Sequence, residues 1–157
     1  MTTRKSRSTA QSAINRLELG EHPDLGDIQS WIEAKNGRPI VIGELSTLRG
    51  NDICGLWFLH EGRDYVLHAP LNSSWHRQYI ILHEFAHMIL GHRCTPTSQR
   101  LVDLPGFPGG PIQVLGRVSF EDEDEAATEL LAGLLMERLS QARDLPSDPA
   151  GFSKVFG

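Results

Sequence analysis

The feature that most constrains the fold of this chain is an apolar segment, residues 79–90, that carries two histidines and a glutamate. These residues are His83, Glu84 and His87, and they form an H-E-x-x-H motif. A helix turns about 100° per residue, so the two histidines lie about 40° apart on neighbouring turns. A helix that is apolar on nearly every side is buried, and buried imidazoles and carboxylates need hydrogen-bond partners or a metal ion. The segment therefore predicts a buried helix with a metal site on one face.

The spacing within the motif also suggests a role for each residue. Two imidazole nitrogens one turn apart can reach the same Zn²⁺ at roughly 2.0–2.1 Å. Glu84 lies on an adjacent line of the helix, where it can take a proton from a water that the metal activates. We therefore predict His83 and His87 as ligands of a zinc ion and Glu84 as the catalytic base of a hydrolase. The alternative is a hydrogen-bonded cluster of core residues without a metal.

Length, charge and cysteine content limit the possible classes of protein. A chain of 157 residues suits one domain, and a net charge of −5 gives no reason to expect direct nucleic-acid binding. With no signal peptide and no run of 18 apolar residues, we expect a cytoplasmic protein that is not bound to a membrane. The two cysteines, Cys54 and Cys94, are too few for a disulfide framework. Cys94 follows the motif helix closely, so it is either a small residue at the helix exit or a thiolate ligand.

Hydrophobic spacing along the chain predicts an α+β domain. The predicted helices are residues 12–20, residues 24–36, the motif helix from a cap at Asn72, Ser73 or Ser74 to Leu90, and residues 121–139. The predicted strands are residues 39–45, 53–60 and 65–68. Because tight turns join these strands, we expect a small antiparallel sheet. We expect a disordered tail over residues 1–11, a single domain over 12–143 and a C-terminal tail over 144–157.

The connection over residues 93–119 is long and rich in proline and glycine. Connections of this length are usually functional or disordered. Within it, residues 112–118 predict an edge strand that could lie against an extended substrate near the active site. A mobile surface loop is the alternative.

A catalytic zinc usually has three protein ligands and an open position, so a third ligand is needed. His92 comes nine residues after His83, which on a continuous helix places it on the opposite face. We therefore interpret His92 as a residue at the helix C-terminus that interacts with the helix dipole. Glu125 and Glu129 lie near one line of the last helix, beside the small Ala132, so a carboxylate there could approach the motif helix. A solvated glutamate in the first turn is the alternative for Glu125.

Taken together, these segments resemble the ImmA/IrrE family of zinc metallopeptidases. The resemblance covers roughly residues 28–140 and includes a strand at residues 65–67, followed by the motif helix with Gly91 and His92. It continues in a glutamate-led helix that ends in Leu134-Leu135-Met136. The family's second motif is a glutamate, an alanine three residues later, an acidic or amide residue at four, a Phe-Ala pair and Leu-Leu-Met-Pro.

The chain departs from that second motif, and two registers result. If Leu131-Ala132 stands for the Phe-Ala pair, Glu125 is the third ligand and Thr128 replaces the alanine. Glu129 then fills the acidic place and would hold a metal-bound histidine by a hydrogen bond. Anchoring on residues 134–136 selects Asp124 instead, with Glu137 where proline is usual. We favour Glu125 because its register also gives Glu129 a role.

The resemblance implies a zincin-like domain, in which a small sheet packs on the motif helix and a following helix carries the third ligand. It also implies hydrolysis of a peptide bond in a regulatory protein such as a helix-turn-helix repressor, and hence regulation of transcription. His76, His68 or Tyr65 could donate a hydrogen bond to the developing oxyanion, with ordinary packing as the alternative for each. The rival function is a non-catalytic, zinc-stabilised module that binds or senses a partner protein. A metal-dependent hydrolase with a substrate other than peptide is a third possibility.

Overall fold

The computed structural model of the protein describes residues 3–46, 55–70, 73–92, 99–102, 112–115 and 122–144. In chain order the elements are α1 (Arg4–Leu17), α2 (Leu25–Asn36), β1 (Ile40–Glu44), β2 (Gly55–His60), β3 (Arg63–His68), α3 (Ser74–Ile89), β4 (Gln99–Val102), β5 (Ile112–Leu115) and α4 (Asp122–Asp144). The mixture of helices with a small three-stranded sheet confirms the α+β class. No helix within the described ranges combines the length and the apolar character needed to cross a lipid bilayer.

Helix α1 occupies most of the segment that we expected to be a disordered tail, so that expectation is wrong. Thr3 caps the helix through a capping box, in which its side chain accepts from the backbone of Ser6 and its backbone donates to the Ser6 hydroxyl. Ala10, Ala13 and Leu17 follow at helical spacing, are buried, and pack α1 against α4. The small side chains let the two helices approach closely, although they contribute little hydrophobicity to the sequence pattern.

The three-stranded sheet has the order β1-β3-β2, with β3 in the centre. β2 and β3 form an antiparallel hairpin whose two turn residues, Glu61 and Gly62, both have positive φ (50° and 77°), as a tight hairpin turn requires. β1 pairs with β3 in parallel, from Ile40 opposite Asp64 to Glu44 opposite His68. The expected all-antiparallel sheet is therefore wrong, and the sheet is mixed. β3 is buried along most of its length on both faces, so it takes the central place between the other two strands.

The motif helix α3 lies between the sheet and α4. Val66 of β3 is fully buried in the same core cluster as Ile81 and Phe85 of α3 and Leu131 of α4. Because side chains alternate along a strand, His68 shares the helix-facing side of β3 with Val66, whereas Tyr65 points to the other side. The core therefore has α3 at its centre, and α3 brings the H-E-x-x-H residues with it.

A buried carboxylate in the central strand β3 connects that strand to β2 and to the residues just before β1. Asp64 is fully buried in β3, and its two oxygens accept from Trp57 Nε1 at 3.1 Å and from Arg38 Nε at 3.0 Å. The positive charge of Arg38 compensates the carboxylate, as a buried charge requires. This cluster was not anticipated from the sequence.

Within the long connection, β4 and β5 form an antiparallel pair, and β5 contacts β2. The predicted strand over residues 112–118 is thus present at Ile112–Leu115, and residues 116–118 lie outside the described residues. Helix α4 continues five residues beyond the predicted end at Leu139. Cys54, Cys94 and most of the predicted C-terminal tail also lie outside the described residues.

Candidate metal centre

Local sequence fixes the two ends of α3. Ser73 is the N-cap, and its hydroxyl accepts from the backbone N–H of His76 at 3.2 Å. At the other end Gly91 adopts a left-handed conformation with φ of 76°, which turns the chain back after Leu90. The capped helix is buried along its centre, as its apolar flanks predicted, and His87 is fully buried there.

Glu125 in the first turn of α4 meets the two motif histidines. One carboxylate oxygen lies 3.2 Å from Nε2 of His87, and the other lies 3.6 Å from Nε2 of His83. The three potential ligand atoms all lie within 4.8 Å of one another. The structure thus brings together the residues that the sequence predicted as metal ligands, with Glu125 in the place that the sequence left open between Glu125, Asp124 and Glu129.

The arrangement of donor atoms fits a metal ion. Two ligand atoms about 2.0–2.1 Å from one ion lie roughly 3.3 Å apart at the tetrahedral angle. The separation between Oε2 of Glu125 and Nε2 of His87, 3.2 Å, is close to that value, and Oε1 of Glu125 lies 3.6 Å from Nε2 of His83. Nε2 of His83 is buried and has no hydrogen-bond partner among the described residues. A buried polar atom in that condition needs something else to bind it. The cluster of His83, His87 and Glu125 could therefore hold a metal ion.

The negative charge of Glu125 also suits the binding of a metal cation. Burial by itself would raise the pKa of this carboxyl, but the imidazoles of His83 and His87 outweigh burial and hold the pKa well below its usual range. Glu125 is therefore anionic at neutral pH. Two neutral imidazoles and one carboxylate leave a divalent cation with one net positive charge.

Glu84 follows His83 directly on α3 but is not one of the three potential ligands. Its side chain is 1% exposed, and the first residue of β2, Gly55, passes beside it. A Cβ atom at Gly55 would lie 2.7 Å from Cγ2 of Ile80 and 3.4 Å from Oε2 of Glu84. The strand can approach the carboxylate this closely because position 55 has no side chain. The sequence contained the signal, an isolated glycine inside a predicted strand, but we did not assign it a role.

The second ring nitrogen of His87 contacts residues that the sequence analysis did not place there. Nδ1 of His87 lies 3.0 Å from Nδ1 of His92 and 3.4 Å from Oγ1 of Thr128. Glu129, which we expected to hold a histidine, is exposed, and the side chain that contacts His87 belongs to its neighbour Thr128. Glu129 lies one helical turn beyond Glu125 on α4, where its charge acts on Tyr79. Asp124, the other proposed ligand, faces Nε2 of His92 at 3.7 Å.

His92 is on the same side as His87 because the helix does not continue to it. Helix α3 ends at Ile89, and the left-handed Gly91 brings the backbone N–H of His92 to 3.0 Å from the carbonyl of His87. The expectation of an opposite face assumed an unbroken helix and is wrong. Burial first, and then the neighbouring His87, lower the pKa of His92, although Asp124 and Glu125 act in the other direction.

The three residues considered as oxyanion donors are engaged elsewhere or exposed. His68 is buried, with Nδ1 2.9 Å from the carbonyl of Ala69 and Nε2 accepting from Arg77 Nε at 3.3 Å. Tyr65 stacks on Phe58, with ring centroids 5.3 Å apart, on the sheet face away from α3. His76 is exposed in the first turn of α3.

Tyr79 is the aromatic residue that lies beside the cluster. Its ring centroid is 6.3 Å from that of His83 and 5.9 Å from that of Trp75, on which it stacks. Burial and then the negative charge of Glu129 raise the pKa of Tyr79, so its hydroxyl keeps its proton. The sequence signal was its position four residues before His83, one turn along the same face.

Comparisons of the chain with protein-family models, with curated proteins and with solved structures find no match. The family resemblance therefore rests on the motifs quoted above.

Proposed function

We propose that the chain is a zinc-dependent endopeptidase of the kind that the ImmA/IrrE resemblance implies. The observation that carries the proposal is the meeting of His83, His87 and Glu125 in one cluster. Glu84, the residue after His83, is buried on the same helix. Two histidines and a glutamate are the ligand set of catalytic zinc in H-E-x-x-H proteases. A carboxylate next to such a set, but outside it, is placed for acid–base chemistry.

The number of ligands supports catalysis over the rival, zinc-stabilised binding module. Structural zinc sites are closed by four protein ligands, whereas catalytic sites have three and keep one position open. Within the described ranges, the cluster has three potential ligands. A fourth ligand atom, for which Cys94 outside the described residues is the candidate from the sequence, would favour the binding module.

The proposed chemistry divides between the metal and Glu84. A zinc ion held by His83, His87 and Glu125 would supply a Lewis acid that polarises the scissile carbonyl and makes water a better nucleophile. Glu84 accepts the proton of the attacking water and then donates it to the leaving amine. Because its side chain is 1% exposed, Glu84 exchanges that proton with the reacting groups rather than with bulk water. The absence of a side chain at Gly55 keeps room around this carboxylate.

We further propose that the substrate is a helix-turn-helix repressor in the cytoplasm, with no direct binding of nucleic acid or membrane by the protease. The net charge of −5 supports this choice, since an acidic protease would associate faster with a basic DNA-binding protein at low salt. The segment over residues 93–119, in which strand β5 contacts β2, is the part that we assign to substrate recognition. Short general peptides should then be cut poorly.

The decisive variant is Glu84→Gln, which keeps the size of the side chain and removes its basicity. Co-expressed with helix-turn-helix repressors, the wild type should produce one cleavage, and Glu84→Gln should lower the rate by at least about 100-fold while still binding zinc. Glu129→Gln is the matched control, because it makes the same chemical change at an exposed position of α4. A Glu84→Gln protein that cleaves at the wild-type rate would overturn the peptidase assignment. Indiscriminate digestion of casein would overturn the repressor as substrate and leave the zinc chemistry in place.

A further inference from the structure

We propose that His92 is a positioning residue of the metal centre, which orients His87 by accepting a hydrogen bond from Nδ1 of that residue. This inference rests on the proposed function in one respect, since it takes His87 as a metal ligand. It gives His92 a role that is neither ligation nor an interaction with the helix dipole. It also gives Asp124, on the first turn of α4, a role as the partner of His92.

The hydroxyl of Thr128 limits how the hydrogens in this cluster can be arranged. It donates its one hydrogen to the backbone carbonyl of Asp124, at 2.8 Å. Towards the two imidazoles, at 3.4 Å and 3.3 Å, the same oxygen can then only accept. It cannot be the donor that fixes the tautomer of His87 or His92.

The contact between His87 and His92 then has one direction. Nε2 of His87 faces the Glu125 carboxylate at 3.2 Å, on the side where a metal would bind, and a ligating nitrogen must offer a lone pair. The hydrogen of a neutral His87 is therefore on Nδ1, which lies 3.0 Å from Nδ1 of His92. A hydrogen bond between two nitrogens needs one donor and one acceptor, so Nδ1 of His92 accepts.

The tautomer of His92 follows from the same rule, and Asp124 matches it. With a lone pair on Nδ1, neutral His92 has its hydrogen on Nε2, the atom that faces Oδ1 of Asp124 at 3.7 Å. A carboxylate at this distance attracts the N–H and disfavours the opposite tautomer. The interacting groups thus form a chain that runs from Asp124 through His92 and His87 to the metal position. Ligating histidines commonly donate their second nitrogen to such a partner, which fixes the ring.

The backbone holds His92 in place for this contact. Its own N–H donates to the carbonyl of His87 at 3.0 Å, directly after the left-handed Gly91. His92 therefore contacts His87 through both its main chain and its ring. A side chain at position 91 would be strained at a φ of 76°, so the turn depends on glycine.

Two substitutions at one position separate a hydrogen bond from packing. His92→Asn places a carbonyl oxygen near the position of Nδ1 and can accept, whereas His92→Leu has a similar bulk and cannot. Zinc affinity, measured by competition with a chelating dye, should fall about 10–100-fold in His92→Leu and return to within a few-fold of wild type in His92→Asn. Urea unfolding in the presence of a chelator should give the two variants similar stabilities, because the difference between them concerns the metal-bound ring.

A cobalt-substituted sample tests whether His92 is a ligand. The visible absorption bands of bound Co²⁺ depend on the ligand atoms, so they should keep their positions in both variants if His92 acts only through His87. Loss of a nitrogen ligand from the spectrum of His92→Leu would overturn the positioning role. Equal losses of zinc affinity in both variants, or no loss in either, would also overturn it. Failure of the wild type to bind zinc would instead overturn the proposed function on which the inference rests.

Discussion

The substitution Gly55→Ala should destabilise the protein, because strand β2 passes helix α3 too closely for a side chain at that position. The new Cβ would lie 2.7 Å from Cγ2 of Ile80, well inside ordinary carbon contact distances. Ile80 is buried, and its Cγ2 is attached to a branched Cβ with restricted χ1, so the methyl group has little freedom to move away. Overpacking of this kind costs about 1–3 kcal/mol. For a chain of this size each kcal/mol lowers the melting temperature by about 2–4 °C.

The same substitution, glycine to alanine, should stabilise the protein at an exposed helical position. Gly133 is exposed on α4, and a Cβ there would meet nothing within 4 Å. Gly133→Ala should therefore raise the free energy of unfolding by up to about 1 kcal/mol through helix propensity. Urea unfolding of both variants with a chelator present measures the difference without a contribution from bound metal.

A double substitution tests whether Ile80 is the cause. Ile80→Ala removes the methyl group that the new Cβ would strike, so the cost of Gly55→Ala should shrink by about 0.5–3 kcal/mol in that background. If Gly55→Ala is as stable as wild type, or if its cost is the same with and without the Ile80 side chain, close approach is not the reason for glycine at this position.

Three other measurements bear on the metal centre and on the buried ion pair. If a metal ion is present at about 100 times its Kd, removing it with a chelator should lower the melting temperature by about 5–10 °C. The drop should be the same in Glu84→Gln and in the wild type. No drop would mean that the metal does not contribute to folding. Glu125→Ala should abolish that drop, whereas Glu129→Ala should alter dye-measured metal affinity by no more than about two-fold; the reverse ranking would make Glu129 the ligand. Arg38→Ala should lower the free energy of unfolding in urea by about 3 kcal/mol, because it leaves the buried Asp64 carboxylate without its charge partner. A loss below about 1 kcal/mol would mean that the Asp64 carboxylate does not depend on Arg38 for compensation of its charge.

Patterns that are local along the chain predicted their part of the structure well. The capped α2, the hairpin of β2 with β3 and the buried motif helix each depend on residues within a few turns of one another. The approach of Glu125 to His83 and His87 is not local, and its prediction depended on the spacing of the motif and on the register of the last helix. In the structure that register places Glu125 at the two motif histidines.

The predictions that failed involve contacts between distant segments or breaks in a regular pattern. The parallel pairing of β1 with β3 depends on which strand the core buries most deeply, which turn chemistry does not reveal. Two alanines of α1 gave almost no hydrophobic signal, although they are buried against α4. His92 was misplaced because its position depends on the left-handed turn at Gly91 and not on helical periodicity.

The packing of α1 against α4 makes the two ends of the described chain parts of one cooperative unit. Thr3, the N-cap of α1, and Lys5 in its first turn contact Glu123, at 3.4 Å and 3.7 Å, only two residues before Glu125. A metal that orders Glu125 would also restrict the first turn of α4, and through it the first turn of α1. Amide hydrogens of α1 should then exchange with solvent more slowly when metal is added, although none of its residues belongs to the ligand cluster.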